Sequence, residues 1–326
     1  MKSFTKTVAI IIFFIGVLVY SNPTLGQIHS TASGGNWSNS STWVGGIAPG
    51  ILDDVVINGP VYIETGNGCN NITIANTGSL QNKNGGNRTL AVNGNISNQG
   101  TIQNNNYFFY LDIHGDIDNN GSWSNYNTFL VGASDQNISS TTSFSGYSFR
   151  SLKTTGDIFA NSTLRFNNTI VDFNGDTLQM NTGNDSIILN NGRLIETTIL
   201  SSGGAPGQVY FNFSNTAYVD EVYIEANEVV MDGVFQFVDI FQVIGNVRVE
   251  GTLQNLNGGH YTVTINGNLT NNGTIRDNNY NCYLYITGDI YQNGTWTNNH
   301  TYLSGDADQN LWFTQPFSPS LLRAKT

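Results

Sequence analysis

The chain has 326 residues and carries 12 basic against 23 acidic side chains, a formal charge of −11, although charged residues make up only 11% of it. So acidic a surface lacks the cationic footprint that nucleic acids and anionic membranes require, which argues against both as partners. Frequent aromatic residues argue against disorder, and solubility must come from Asn, Ser, Thr and Gly, a composition suited to turns and polar strand faces.

In chain order, segment 1–26 reads as a signal peptide. Lys2 and Lys6 form a short basic region, Val8 to Tyr20 is apolar, and Thr24 and Gly26 occupy small-residue positions before a cleavage at Gln27. That apolar run falls short of the roughly 20 residues that span a bilayer. The expected product is secreted or cell-surface, with no membrane span in the mature chain and a formal charge of −13 once the two lysines are lost. The first cysteine, Cys69, lies too far from that cleavage to carry a lipid anchor.

Residues 27–60 read as an N-terminal capping segment in which Trp37 and Trp43 cover the open end of a stack. From residue 61 onward the sequence repeats. At one fixed offset Gly78–Asn137 aligns without a gap on Gly251–Asn310. Inside each block a shorter unit recurs: Leu90-Ala91-Val92-Asn93-Gly94-Asn95-Ile96 returns as Leu111-Asp112-Ile113-His114-Gly115-Asp116-Ile117. Apolar residues alternate within each unit, the period of a strand with one face inward. A period near 21 with short apolar runs predicts an all-β fold, a single-stranded right-handed parallel β-helix over 61–326. The competing reading takes each Asn-Gly as a hairpin turn, but hairpins pair neighbouring runs, whereas the identity here is between whole units. In a coil, Asn and Gly mark corners where amide side chains can stack in ladders.

Regularity weakens from about 138 to 240, where Gly203-Gly204-Ala205-Pro206-Gly207 reads as a loop and Asp220, Glu221, Glu225, Glu228, Asp232 and Asp239 concentrate charge, so longer and less regular coils are expected. Cys69 and Cys282 are separated by most of the repeat region. At the coil period that is about ten coils, or about 45 Å at the strand spacing, far beyond the roughly 7 Å a disulfide spans. Both are therefore expected as free thiols, with Cys282 in the core. Past the second block the same offset places Phe317-Ser318 on Phe144-Ser145. The chain is thus expected to stop within a repeat, with Leu321 and Leu322 exposed and the natural product longer.

The opening residues Gly34-Gly35-Asn36-Trp37, Thr42-Trp43-Val44-Gly45-Gly46, Pro49-Gly50 and Asp53-Asp54-Val55-Val56-Ile57 form a further pattern. It resembles the opening segment of secreted β-helical surface proteins of Gram-negative bacteria that use type IX secretion, and the Asn-Gly-rich coils are similar to theirs. The resemblance implies an adhesin-like or matrix role. Such proteins usually end in a sorting domain, which is not visible here.

No nucleophile elbow, metalloprotease helix or phosphate-binding loop occurs, so no catalytic residue and no cofactor is assigned. Asp116 and Asp289 stand where Asn95 stands one coil earlier, a corner that Asp serves as Asn does. Trp123 and Trp296 replace Ile102 and Ile275 and should point inward. Strand parity leaves Asp112, His114, Asp116 and Asp118 on the outer face, three carboxylates and an imidazole that could bind a divalent cation, although like-parity neighbours lie about 6.8 Å apart. In the second block the outer row carries Tyr283, Tyr285 and Tyr291, which suits a polysaccharide or cell-surface glycan, or another protein. These features predict a non-catalytic extracellular or adhesin-like solenoid. The alternative is a carbohydrate-active β-helix enzyme, a polysaccharide lyase or glycoside hydrolase, using carboxylates of the 220–239 region.

Overall fold

The computed structural model describes residues 26–181, 186–201, 208–215, 217–319 and 321–324. The signal-peptide expectation, apart from Gly26, and the 203–207 loop expectation lie outside those residues.

The chain is a β-solenoid of about 12 turns built from parallel strands. Each regular coil contributes three strands, and equivalent strands stack into three faces. The first face runs through Ile72–Ile74, Ile96–Asn98, Ile117–Asn119 and Gln136–Ser140. The second runs through Ser79–Asn82, Thr101–Gln103 and Ser122–Ser124. The third runs through Arg88–Val92, Phe109–Ile113 and Asn127–Leu130, and in the second block through Tyr261–Asn266, Cys282–Ile286 and His300–Leu303. Val92 pairs in parallel with Ile113, and Val243 with Ile265, as the repeat predicts. The hairpin reading fails: among the described residues the antiparallel contacts are isolated bridges, such as Asn105–Tyr107 and its counterpart Asn278–Tyr280.

The reason is visible at the corners. Asp116 accepts the Asn137 amide at 2.7 Å, while its own amide donates to Asn95 Oδ1 at 2.8 Å. The second block repeats this with Asn268, Asp289 and Asn310, each amide–oxygen distance 2.8 Å. A side-chain oxygen at each bend thus satisfies the backbone N–H of the next coil, which a local hairpin would not need. Inside, a buried amide ladder runs from Asn98 to Asn119 Oδ1 at 2.8 Å and from Asn119 to Ser140 Oγ at 3.2 Å. Its counterpart is Asn271 to Gln292 at 2.7 Å. Asn119→Ala is expected to cost about 1–3 kcal/mol, because it orphans buried polar partners. Urea denaturation of the variant measures this.

The core is a column of alternating Leu, Ile, Val and Phe, and it also takes the large inward aromatics. Trp123 and Trp296 are 2% and 1% exposed. Trp123 Nε1 donates to Thr128 Oγ1 at 3.0 Å, and Thr128 in turn bonds Asn125. Trp296, Asn298 and Thr301 form the corresponding cluster in the second block. Gln136 and Gln309 likewise each donate to two carbonyls of the preceding coil. The duplication therefore extends to its hydrogen bonds.

The middle carries the less regular coils expected there. The coils there vary in length, from the short step that sets Gly233 on Phe213 to the longer one that sets Glu225 on Leu200. Tyr218–Val249 is one unbroken extended run. Its corners are single left-handed residues, Glu221 at φ 51°, Gly233 at 70° and Asp239 at 52°, so the chain turns without leaving the ladder. At Gly233 a Cβ would lie 1.9 Å from the Phe213 carbonyl oxygen, so only glycine fits there.

At the N-terminal end Ile28–His29 pairs in parallel with Val55–Val56, and so segment 27–60 itself forms the first coil. Trp37 and Trp43 are buried edge to face at 5.1 Å, with Trp43 Nε1 donating to the Trp37 carbonyl at 2.7 Å. Asp54 begins the corner ladder by accepting from Asn70, the Asn71 amide and the Asn71 side chain. Burial raises its pKa, but these hydrogen bonds outweigh burial and leave it below the ordinary 3.8. A lowered folded-state pKa stabilises above the unfolded value, and that contribution is lost as pH falls through the lowered one. The stability advantage of wild type over Asp54→Asn should therefore shrink below about pH 3.8, which denaturation followed by tryptophan fluorescence would show.

Cys69 and Cys282 are both free and buried. Burial pushes the Cys69 thiol up to about 12 and the Cys282 thiol up further still. Because the thiolate is the reactive form, neither should react with a thiol reagent in the native protein, and both should titrate in denaturant. At the other end Leu322 is exposed as expected, but Leu321 is half-buried, because its strand pairs with His300–Leu303.

Candidate functional site

The outer row Asp112, His114, Asp116 and Asp118 does not converge. Asp112 lies on the third face and Asp118 on the first, and the corner at Gly115 separates them. Asp116 is committed to the Asn137 amide, and Asp118 accepts from Asn120 at 2.9 Å. Among the described residues no group of three or more His, Cys, Asp or Glu is placed to hold a metal ion. Asp112 is half-buried rather than exposed, since it lies in the ladder between Ala91 and Phe129, and burial raises its carboxyl pKa. Parity along one strand put these four in a row; the bend takes them out of it.

The tyrosines of the second block are where parity places them, facing outward, but half-buried. Tyr285 stacks on Tyr302 with ring centroids 4.5 Å apart and planes at 9°, and Tyr291 stacks on Trp312 at 4.5 Å and 6°. Tyr283 packs against His300 at 4.8 Å. These separations match the spacing of adjacent strands, about 4.8 Å. The rings thus lie across the solenoid axis, cover one another's faces and present edges and hydroxyls to solvent. Burial raises the Tyr285 pKa, and Tyr302 and Tyr283 raise it further, so its hydroxyl stays neutral at physiological pH.

A second aromatic row, in the first block, escaped the sequence reading. Phe108, Tyr126 and Tyr147 stack on three successive coils, at 3.8 Å and then 4.7 Å. Tyr110 packs on Tyr126 and Phe129 beside them. The row sits at the corner where each coil enters the third face, not on the strand, so strand parity does not find it. The signal available was the recurrence of Phe108, Tyr126 and Tyr147, 18 and 21 residues apart. At the equivalent corner the second block carries Asn281 and Asn299, which hydrogen-bond at 3.3 Å. Its aromatics occupy strand positions instead, Tyr285 standing where Asp112 stands. The two blocks thus keep their core and their amide-laddered corners alike and differ on the outward third face and at the corner leading into it, each lining that side with aromatic side chains.

Two carboxylates of the 220–239 region are engaged by partners. Glu228 pairs with Arg248 at 3.1 Å, and Asp232 accepts from the Tyr210 hydroxyl at 2.5 Å. Burial and the neighbouring Asp239 and Glu221 raise the Asp220 pKa, with Arg193 opposing.

No protein-family model, no curated protein and no solved structure matches this chain.

Proposed function

We propose that this protein is a non-catalytic, extracellular, adhesin-like scaffold, a rod whose third face presents aromatic rows to glycans. The observation that carries this reading is the divergence of the two blocks: an unchanged framework bears two differently placed aromatic surfaces on the same side. Neutral, edge-on tyrosines offer hydroxyls and ring edges to a sugar's hydroxyls without a charge requirement. The commitment of Glu228 and Asp232 to Arg248 and Tyr210 supports the scaffold over the polysaccharide lyase or glycoside hydrolase, whose chemistry needs a convergent carboxylate pair. Secretion to the cell surface is part of the same proposal and rests on the leader and the opening motif. A glycan array with the mature protein, run beside a reducing-sugar assay on the same polysaccharides, tests it. Binding without release of reducing ends is expected; release abolished by Asp220→Asn would establish the enzyme instead.

A further inference from the structure

The aromatic row of the first block ends abruptly, and its end is a site. On the coil beyond Tyr147 the equivalent residue is Thr169, and on the next it is Gly192, as the amide of Ile170 bonding the Tyr147 carbonyl and that of Arg193 bonding the Thr169 carbonyl show. Thr169 is only 1% exposed, its hydroxyl turned in to the Gly146 carbonyl at 2.9 Å. Neither residue projects a ring, so the row drops into a notch of about 190 Å³ lined by Asn168, Thr169, Ile170, Gly192, Arg193 and Tyr218. Tyr147, 53% exposed, stacks on Tyr126 with one face and has no described ring against the other.

The far wall of the notch is polar. Arg193 Nη1 donates to the Tyr218 hydroxyl at 3.3 Å, which fixes the guanidinium, and no carboxylate among the described residues lies within ion-pair distance of it. Tyr147 is near enough to help raise the Arg193 pKa, behind the larger effect of Tyr218. The notch spans two coils, about 10 Å along the axis. An aromatic face on the coil just before the notch and a held hydrogen-bond donor within it, over a glycine floor, fit a flat ring with hydroxyls on its rim.

We propose that this notch is a subsite for one neutral pyranose unit of a polysaccharide, with its C–H face on Tyr147 and its hydroxyls on Arg193. This rests on the glycan-binding reading and deepens it. The neutrality follows from the surroundings: Asp220 sits close enough to Arg193 to feel its charge, with Glu196, Glu221 and Asp239 around it, so a uronate chain would meet repulsion on either side.

Affinity electrophoresis in gels containing hydroxyethylcellulose, a soluble β-1,3-glucan, galactomannan or polygalacturonate provides the test, with thermal melting to verify the fold of each variant. Retardation by at least one neutral polymer is expected. Tyr147→Ala and Arg193→Ala should each weaken it about tenfold, while Tyr147→Phe, which keeps the ring, should bind nearly as wild type. If both alanine variants bind as wild type and Tyr285→Ala does not, the notch is refuted while glycan binding stands. Selective retardation by polygalacturonate overturns the neutral-sugar assignment, and no retardation by any polymer, together with an empty glycan array, overturns both proposals.

Discussion

Trp123→Ala should be among the most destabilising single substitutions in the first block, costing about 3–5 kcal/mol. The side chain is 2% exposed, packs edge-on to Phe144 at 5.3 Å and satisfies the buried Thr128 hydroxyl. Truncation opens a cavity as large as an indole, and it also removes one member of a closed Trp–Thr–Asn cluster, so the apolar and polar losses act in the same direction. Trp296→Ala should behave alike, since Asn298 and Thr301 repeat the cluster. Because a solenoid's coils contact mainly their neighbours, hydrogen exchange should show the loss concentrated within a few coils of each site. Uniform loss along the rod would mean that the coils do not behave as stacked, locally coupled units.

Lys153→Met is the second large effect, at about 3 kcal/mol or more. Lys153 is 6% exposed, and its ammonium donates to the Gly132 carbonyl at 2.9 Å, the Ser134 carbonyl at 2.7 Å and Gln136 Oε1 at 3.0 Å. Methionine has a similar length and apolar stem but no donor, so three acceptors, two of them buried, would lose their partner at once. Lys153→Arg would keep the charge yet force a larger planar group into the same bend. Chemical denaturation of both variants measures the cost; a methionine variant within about 0.5 kcal/mol of wild type would show that water replaces the ammonium without penalty.

The parts of the fold that depend on one coil resembling the next were readable in the sequence. Val92 over Ile113, the inward Trp123 and the corner role of Asp116 all follow from substituting one unit's residues into another's places, because a stacked coil gives equivalent positions equivalent surroundings. What depends on the neighbouring coil's side chain was not readable from one strand. Asp112 is half-buried because Phe129 lies beside it, and Tyr285 and Tyr291 because Tyr302 and Trp312 stack on them. The row of Phe108, Tyr126 and Tyr147 was hidden for a different reason: it lies at corners, where the two-residue period stops. The notch lies where the sequence repeat is weakest, and it is made by the absence of a ring at Thr169 and Gly192, which no motif announces.

Which side chains share the third face, and therefore which can form the glycan surface, follows from the stacking register, and intramolecular crosslinking measures that register directly. Ala91 lies opposite Asp112, and Asp112 opposite Phe129, outward on three successive coils of the third face. Adjacent parallel strands are about 4.8 Å apart, within disulfide reach, whereas residues two coils apart lie at about twice that distance. Under mild oxidation Ala91→Cys/Asp112→Cys should close an internal disulfide and Ala91→Cys/Phe129→Cys should not, the two native thiols being buried in both. Efficient closure of the 91–129 pair, or none of the 91–112 pair, would contradict the register and the aromatic face built on it.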